Sequence, residues 1–470
     1  MSYRRGARAP RFRFALTLAV VLALAAVSGL VYVSARMITA PKPVISFLSP
    51  FDRVGRQTPL AIDVDDASGL RSLSVVLIQG DKRHPILERT FDVPEKSVKV
   101  RWAPGQEPKI ALAEGQGEVV VEARNASWGN WMRGRTLTER RPFEARTQAP
   151  RLEVLTGQHY VNQGGCDAVV YKATPVDVES GVAVGDRFFR GFPVPGSPDP
   201  AVRIAVFAYP YDAAPGTAVR LRARDDFGNE ALAGFTLKVF PKAFRTRDLP
   251  VDDAFLNKVV PEIVSQTPSF TDQGDLLKNY LAINRDLRKA NNQALAEIAQ
   301  KSKPERRWTL PFQQLGGSSV EAQFADHRRY LYQGQEVDRQ DHLGYDLATT
   351  ANAPVTAAND GVVALAEYFG IYGNAVVVDH GYGLLSLYGH LSRMEAKVGD
   401  AVKRGQTVGY SGATGLAGGD HLHYSMVLLG EQVDAREWFD AHWLEDRLFV
   451  KLRQFGAPAP SPSPAASAAP

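Results

Sequence analysis

The longest apolar stretch of the chain lies at its amino terminus, where residues 14–35 carry no charged side chain over 22 positions. A helix of this length can cross a hydrocarbon core of about 30 Å. Five arginines precede the stretch, and only Arg36 and Lys42 follow it closely. Because positively charged flanks stay in the cytoplasm, the pattern predicts that residues 1–13 form a cytoplasmic basic tail and that the chain beyond residue 36 is extracytoplasmic.

Two other interpretations of this stretch are less favoured. A cleavable signal peptide usually has an apolar region of about 7–15 residues. No clean small-x-small site stands at the end of this one, where Ala35 is flanked by Val33 and Arg36. A buried core helix is unusual at a terminus that carries an arginine cluster. The sequence therefore predicts an uncleaved, single-pass anchor at residues 14–35 in the inner (cytoplasmic) membrane, with the bulk of the chain periplasmic.

Short β-branched and aromatic runs dominate residues 42–245, where Gly, Pro, Asp and Asn separate them. This pattern, with clear period-two alternation at residues 218–223, is typical of half-buried strands joined by turns. The runs that predict strands most clearly are residues 72–78, 118–123, 203–208 and 218–223.

An internal similarity divides this region in two. Residues 119–130 read VVVEARNASWGN and residues 219–229 read VRLRARDDFGN, and their aromatic-Gly-Asn turns are 99 residues apart. That spacing is about the size of one immunoglobulin-like sandwich. The repeat predicts two such domains, at residues 42–145 and 146–245. The acidic run at residues 65–69 is better explained by Asx-type turns than by calcium binding.

The hydrophobic period changes to helical spacing at residues 251–303, a stretch rich in Asp, Asn, Gln and Lys. Pro261 and the Pro268-Ser269 turn are expected to divide it into at least two helices. The segment is interpreted as a solvated helical connector, with a lid over the following domain or a partner-binding hairpin as the alternatives. At the other end, residues 456–470 contain only Ala, Pro, Ser and one Gly, which predicts a disordered or extended tail.

Composition and charge narrow the function classes. At roughly 100–200 residues per domain, 470 residues predict about three folded units. The net charge of +4 is too mild to indicate nucleic-acid binding without a basic stripe or a reading motif, although it is compatible with an anionic wall or membrane surface. Cys166 is the one cysteine, so the chain can form neither an internal disulfide nor a thiolate metal cluster.

The candidate chemistry lies in the last third of the chain, where seven of the nine histidines occur at or after His327. His421 and His423 are two residues apart, so in a strand both project from one face. Two histidines and one carboxylate form a common catalytic zinc set with a position left open for water, and the two other histidines are then available for acid–base work and oxyanion stabilisation. The spaced set is His342, Asp346, His390, His421 and His423, with strands predicted at residues 374–379, 384–388, 407–410 and 423–428.

These motifs resemble the lysostaphin-like (LytM-type) zinc metalloendopeptidases that cut peptidoglycan. His342…Asp346 matches the family's H-x-x-x-D, His390 its lone histidine before leucine, and His421…His423 its H-x-H. The resemblance implies that His342, Asp346 and His423 bind one zinc ion and that His390 and His421 form the catalytic pair. Residues 324–329 resemble the F-G-x-R-x run before the first ligand, with Ala325 where glycine is usual.

The fold implied is a compact antiparallel β-domain with a groove, at residues 304–450. The fold class expected for the whole chain is therefore mainly β and multidomain, with a transmembrane helix, two immunoglobulin-like sandwiches and a helical connector before the peptidase domain. Three other histidines, His327, His380 and His442, are interpreted as structural or groove-lining.

The function expected from this resemblance is a membrane-anchored zinc metalloendopeptidase that hydrolyses peptide cross-links of peptidoglycan during cell-wall remodelling. The alternative is a non-catalytic regulator of the same fold that activates other wall hydrolases. Regulators of that kind typically have lost metal ligands, and this chain retains the whole set. The β-domains or the helical connector are further candidates for binding an envelope protein partner.

Overall fold

The computed structural model describes residues 10–456, with side chains from residue 14 onward. The described residues divide into two compact units, one of residues 10–149 with 225–229 and the other of residues 150–224 with 230–456. The chain is mainly β, as predicted. The predicted cytoplasmic tail up to residue 9 and the predicted extended tail from residue 457 lie outside the described residues.

The first unit begins with a long apolar helix, α1 (Pro10–Thr39), whose described side chains are almost all exposed. Within it, Phe14–Thr39 is long and apolar enough to cross a membrane. Arg135, directly before the strand Thr136–Ala145, donates to the Ile38 carbonyl at 2.5 Å, close to where the helix ends. A short turn of helix, α2 (Gly129–Met132), lies against α1.

The strands of the first unit all join one sheet. Its order is β1-β3-β5-β6-β2, with β4 paired to β3, and its core includes Val64, Val75, Val121 and Phe143. The two-sheet arrangement of an immunoglobulin-like sandwich is therefore not confirmed here. The strands are β1 (Val44–Phe47), β2 (Arg53–Val54), β3 (Leu60–Gln79), β4 (Lys82–Trp102), β5 (Gly115–Asn125) and β6 (Thr136–Ala145).

The acidic run at residues 65–69 lies inside β3, at an irregularity of its register with β4, and has the local hydrogen bonds of an Asx turn. The Asp66 carboxylate accepts from the Ser68 backbone N–H at 2.7 Å and from the Asn125 side chain at 2.8 Å. Both oxygens are thus occupied by protein donors, which is the hydrogen-bonding pattern of an Asx turn.

The second unit opens with a region of two four-stranded sheets, ordered β11-β10-β14-β15 and β12-β13-β9-β7, and a parallel pair of β8 with β16. Its apolar residues join one hydrophobic core with Trp308, Phe312 and Trp438 from later in the chain. The strands are β7 (Arg151–Val154), β8 (His159–Asn162), β9 (Cys166–Thr174), β10 (Glu179–Val184), β11 (Arg187–Arg190), β12 (Phe192–Pro193), β13 (Val202–Ala208), β14 (Val219–Arg224), β15 (Glu230–Ala233) and β16 (Leu237–Phe240).

A strand and three helices follow: β17 (Thr246–Val251), α3 (Asp253–Gln266), α4 (Leu276–Ala282) and, after a π-helical turn (Ile283–Leu287), α5 (Arg288–Gln300). Asp252 caps α3 by accepting from the Phe255 N–H at 2.8 Å, and Asp275 caps α4 in the same way. The predicted break at Pro261 is wrong, because α3 continues through that residue and ends before Pro268. Pro261 lies on the exposed side of the helix, where water can satisfy the carbonyl that it leaves unpaired.

These helices are not a solvated connector. Their apolar side packs into a core shared with strands of the following domain, including Leu365, Val377, Leu385 and Val427. The contributing helical residues are Leu256, Val259, Val260, Ile263, Tyr280, Ile283, Leu295 and Ala299. The segment therefore forms one wall of the domain that carries the histidine motifs.

That domain is built on an eight-stranded sheet ordered β18-β21-β29-β25-β24-β23-β27, with β30 paired to β29, beside the smaller sheets β17-β19-β20 and β22-β28-β26. All four strands predicted in this region from the sequence are confirmed. The elements are β18 (Ser319–Ala322), β19 (Asp326–Tyr332), β20 (Gln335–His342), β21 (Tyr345–Ala348), β22 (Pro354–Thr356), β23 (Gly361–Tyr368), a 3₁₀ turn (Gly370–Tyr372), β24 (Asn374–Asp379), β25 (Leu384–Leu391), β26 (Arg393–Met394), β27 (Ala401–Val402), β28 (Thr407–Tyr410), β29 (Leu422–Leu428), β30 (Glu431–Val433), α6 (Ala435–Phe439), α7 (Ala441–Leu444), a π-helical turn (Glu445–Phe449) and α8 (Val450–Gln454).

Candidate metal centre and cleft

Three residues predicted to bind metal come together where the end of β20 meets the paired strands β21 and β29. His342 ends β20, Asp346 lies on β21, and His423 lies on β29 directly opposite Asp346 in the antiparallel register. Asp346 Oδ1 is 2.9 Å from His342 Nε2 and 3.0 Å from His423 Nδ1, and the two imidazole nitrogens are 3.1 Å apart. The three ligand atoms therefore converge on one point of the sheet.

The hydrogen bonds on the far side of each ring fix which nitrogen carries the proton. His342 Nδ1 is 3.0 Å from the Gln323 carbonyl, which can only accept, so Nδ1 is protonated and Nε2 keeps its lone pair. Ser425 donates its one hydroxyl proton to the Leu343 carbonyl at 2.7 Å, so it accepts from His423 Nε2 at 2.9 Å. His423 Nδ1 then also presents a lone pair.

The centre thus holds three electron-pair donors facing one another with no proton between them. Burial lowers the pKa of His342, and it lowers the pKa of His423 to about 4, so both rings are neutral at physiological pH. Neutral imidazoles and a carboxylate are the protonation states that metal binding requires. Ligand atoms around a tetrahedral zinc ion lie about 3.3–3.5 Å apart, close to the separations here. The residues present fit a zinc ion.

Backbone geometry at Gly344 and Ala325 allows this convergence. A Cβ added at Gly344 would lie 2.6 Å from His423 Nε2 and from Ser425 Oγ, so only glycine lets β21 approach the ring this closely. Ala325, which stands where the family usually has glycine, has φ of +61° and donates its N–H to the His342 carbonyl. The left-handed backbone explains the usual glycine, and an alanine there costs roughly 1–2 kcal/mol.

The two histidines predicted to be catalytic lie beside the three-residue centre. The His390 and His421 ring centroids are 4.9 Å apart, and His390 is 5.7 Å from the His423 ring. His390 Nδ1 donates to the Thr414 carbonyl and His421 Nδ1 to the Gly419 carbonyl, each at 2.8 Å, which leaves Nε2 of both rings free to accept. His390 has φ of +61°, a strained conformation of the kind that clusters at functional sites.

Charges around Asp346 hold it ionised. Burial favours the neutral acid, but electrostatic attraction to the imidazoles of His342, His421 and His423 keeps the pKa of Asp346 well below its usual range. Arg328 donates to Asp346 Oδ2 at 2.8 Å, so that Oδ1 alone faces the imidazoles. Burial opposes charge on His421, yet the negative charge of Asp346, whose Oδ1 is 3.6 Å from His421 Nε2, raises the pKa of His421 above the usual value.

A cavity of about 370 Å³ opens beside these groups. Its walls include residues that sequence reasoning missed, among them Arg328 and Tyr372, whose ring lies 5.3 Å from that of His423. Arg328 falls within the 324–329 run that was noted in the sequence, but no role was assigned to it. Wall residues from before the peptidase domain had no sequence signal, because only long-range packing brings them here; they are Arg247, Leu249, Pro250, Val251, Phe255, Tyr280 and Arg288.

The remaining histidines of this region lie away from the cavity. His380 is fully buried, contacts the Asp360 carbonyl and Ser386 Oγ, and has a pKa that burial lowers to about 4. His327 pairs with Asp341, and His442 is exposed on α7 beside Asp446. The structure places all three in structural or surface positions.

Comparison with known proteins identifies the family to which the region with the histidine motifs is similar. The model of Peptidase family M23 matches residues 340–435. Over 94 residues, 20% of this chain and 22% of the relative, the sequence is 42% identical to the peptidoglycan DD-endopeptidase ShyA of Vibrio cholerae. Over 93 residues, 20% of this chain and 21% of the relative, it is 40% identical to the DD-carboxypeptidase/endopeptidase Mpg of Neisseria meningitidis. The match spans about a fifth of the length of these curated relatives.

Among solved structures, the catalytic domain of the antimicrobial peptidase lysostaphin from Staphylococcus simulans is 24% identical, with a TM-score of 0.20, and the match covers 31% of this chain and 96% of that one. The carboxyl-terminal part of the chain, over residues 340–435, is a domain of peptidase family M23.

Proposed function

We propose that this protein is a membrane-anchored zinc endopeptidase that hydrolyses peptide cross-links of peptidoglycan. The observation that carries the proposal is the set of three lone-pair donors, His342 Nε2, Asp346 Oδ1 and His423 Nδ1, held within 3.1 Å of one another. Three acceptors at this distance repel one another unless a cation lies between them. The names of the relatives, DD-endopeptidases of peptidoglycan, support the substrate class.

The residues have distinct roles in this proposal. His342, Asp346 and His423 hold one zinc ion, which when bound supplies Lewis-acid chemistry and activates water. His421 and His390, each with a free Nε2, accept the proton of the attacking water and donate one to the leaving amine. Arg328 holds Asp346 in the orientation that presents Oδ1. The carbonyls of Thr414 and Gly419 keep the two catalytic rings in the tautomer that can accept.

A non-catalytic regulator is the competing function, and retention of all five residues favours the enzyme. The regulator would bind wall components or other hydrolases without cleaving a peptide bond. Hydrolysis by the purified chain separates the two.

The anchoring of the protein is a second part of the proposal. The apolar helix of Phe14–Thr39 crosses the inner membrane, with the arginine-rich start of the chain in the cytoplasm and the rest periplasmic. An exposed apolar turn next to the end of this helix supports a membrane position. Trp131 is 82% exposed, and Trp128 and Met132 are also exposed, as expected of side chains that rest in the interface between lipid and water.

The β-rich regions complete the proposed architecture. The two four-stranded sheets of residues 151–240 support an immunoglobulin-like sandwich at residues 146–245, and residues 42–145 form a related β-domain. These regions are proposed to bind an envelope protein partner.

Paired substitutions test the assignment of roles. His423→Ala removes a proposed ligand, so zinc content and hydrolysis of peptidoglycan should fall together. His390→Ala should retain zinc while hydrolysis drops by about 10²–10⁴-fold, the usual worth of one acid–base or oxyanion group. His421→Ala should resemble His390→Ala. Zinc in the His423→Ala protein at wild-type occupancy, or its loss from the His390→Ala protein, would contradict the roles.

A further inference from the structure

One wall of the cavity beside the metal centre carries a buried hydroxyl with no partner. Tyr280, on α4, is fully buried, and its Oη has no hydrogen-bond partner among residues 14–456. Tyr280 lines the same cavity as His390, His421 and His423. A buried polar group left unpaired costs about 1–3 kcal/mol, so such a group in a cavity indicates a ligand that pairs with it.

Arg288 lines the same wall and has an unusually fixed position. It follows the π-helical turn Ile283–Leu287, an irregularity that is frequent at functional sites. Asn284, itself fully buried, accepts from the Arg288 guanidinium at 2.5 Å through its side chain and at 3.1 Å through its carbonyl. Asn284 in turn donates to Asp338 at 2.8 Å, so the anchor of Arg288 cannot rotate freely.

No acidic side chain within residues 14–456 forms an ion pair with Arg288. Its remaining N–H groups are therefore available to a ligand, and the guanidinium that carries them is held in place by Asn284. Burial raises the pKa of Tyr280, and the positive charge of Arg288 opposes that rise. Both residues line the same cavity.

The charges of the cavity favour an anion. Three arginines line it, Arg247, Arg288 and Arg328, against two carboxylates, Glu321 and Asp346. Glu321 is exposed at the mouth, and Asp346 is already engaged by Arg328 and three histidines. The positive charge that remains lies on Arg288, at the start of α5, and on Arg247, on β17.

We propose that Tyr280 and Arg288 form a subsite for a free carboxylate of the peptide substrate, next to the bond that is cut. An arginine fork with a hydroxyl beside it matches a carboxylate in shape and charge, whereas a carboxamide offers one acceptor and no charge. The inference rests on the proposed peptidase function and adds a substrate class to it, a peptide that carries a free carboxylate beside the scissile amide. The helical segment before the M23 match thus acts in substrate selection.

The test compares binding of two peptides that differ in one group. The probes are a cross-linked muropeptide dimer with free carboxylates and the same dimer with those carboxylates converted to amides. Binding is measured by calorimetry to the full-length chain in a His390→Ala background, in which cleavage is slow. A charge-assisted bidentate contact should favour the free carboxylate by about 10–100-fold.

Two substitutions on the wall should remove that preference. Tyr280→Phe keeps the ring that packs against Phe255 and Tyr330 and removes only the hydroxyl. Arg288→Gln removes the charge, and Lys289→Gln, its exposed neighbour, removes the same charge outside the cavity as the matched control. Arg288→Lys keeps the charge without the fork and should restore part of the preference.

Each outcome decides the proposal. Loss of the preference in Tyr280→Phe and Arg288→Gln, with wild-type preference in Lys289→Gln, supports the subsite. The proposal is overturned if the protein with Tyr280 and Arg288 intact binds the two dimers equally, or if the preference survives in both Tyr280→Phe and Arg288→Gln. If Arg288→Gln fails to fold, Tyr280→Phe and Arg288→Lys carry the decision. Failure of the peptidase function appears separately, as a chain with His390 intact that binds the free dimer preferentially and does not cleave it.

Discussion

Ser425 offers a test of the metal centre that leaves every proposed ligand in place. Its hydroxyl accepts from His423 Nε2 at 2.9 Å and donates to the Leu343 carbonyl at 2.7 Å, and the side chain is buried. These two bonds hold His423 in the tautomer whose Nδ1 faces Asp346. In Ser425→Ala, the ring loses that restraint and its Nε2–H is left buried without a partner.

The expected loss of zinc affinity follows from two independent estimates. An unpaired buried donor costs about 1–3 kcal/mol, and at about 1.4 kcal/mol per factor of ten this weakens binding roughly 5–150-fold if the cost falls on the bound form. Loss of a group that orients a metal-ligating histidine typically costs about 10–100-fold in affinity. Both place the effect of Ser425→Ala near 10–100-fold in the zinc dissociation constant.

Competition against a chelator of known affinity measures this constant. Ser386→Ala is the matched control, because Ser386 Oγ makes a similar buried contact with His380 Nε2, at 2.8 Å, away from the cavity. The control should lose a comparable amount of unfolding free energy and keep wild-type zinc affinity. Zinc affinity within twofold of wild type in Ser425→Ala, or an equal loss in Ser386→Ala, would refute the reasoning.

Three further outcomes are expected. Burial raises the pKa of Glu437 from 4.5 to about 7, so this residue stabilises the fold fully below about pH 4.5 and the stabilisation is lost as pH rises through 7. In chemical denaturation, the unfolding free energy of Glu437→Gln relative to that of the wild type should therefore rise by up to about 3 kcal/mol between pH 4.5 and 8. Parallel curves of unfolding free energy against pH for the two proteins would contradict this. Leu256→Ala, in the core shared by α3 and the peptidase sheet, should lower the unfolding free energy by about 2–5 kcal/mol. The control Glu297→Ala, at an exposed position, should lower it by less than about 0.5 kcal/mol. Equal losses in the two variants would mean that the helices do not share that core. In proteoliposomes with brominated lipid, Trp131→Ser should reduce the quenchable tryptophan fluorescence, leaving the share from Trp128, and Trp443→Ser should not reduce it; unchanged quenching in Trp131→Ser would contradict the interfacial position.

The local patterns of the sequence predicted the secondary structure well where neighbours in the chain decide it. The run at residues 374–379 is strand β24 because three consecutive valines lie there between turn-forming glycines. Pro261 shows the limit of such local rules. A proline inside a helical pattern normally ends the helix, but burial of Leu256, Val259 and Ile263 against the peptidase sheet holds α3 together.

The sheet arrangement was harder to predict. The strands of residues 42–145, which the sequence predicted as the first of two sandwiches, join a single sheet, because the long β3 pairs with both β4 and β5. Register and pairing depend on contacts between distant residues, which a period-two pattern does not specify.

The sequence predicted the reactive residues of the candidate site, but not the residues that orient them. Only the short bend between β20 and β21 separates His342 from Asp346, and His421 and His423 are two residues apart, so short spacing along the chain holds each of these pairs together. The carbonyl of Gln323 and the hydroxyl of Ser425 orient the rings, yet they belong to residue types that carry no motif. Tyr280 and Arg288 reach the cavity only because α4 and α5 pack on the sheet.

Digestion of a purified cross-linked muropeptide dimer tests the central claim most directly. The full-length chain with its zinc quantified is incubated with the dimer, and the products are identified by mass spectrometry, with His390→Ala as the matched inactive protein. The account predicts one zinc per chain and two monomers whose combined mass exceeds the dimer by one water, formed about 10²–10⁴-fold more slowly by His390→Ala. A chain that carries stoichiometric zinc and leaves the dimer intact, or one that cleaves it equally fast without His390, would contradict the account.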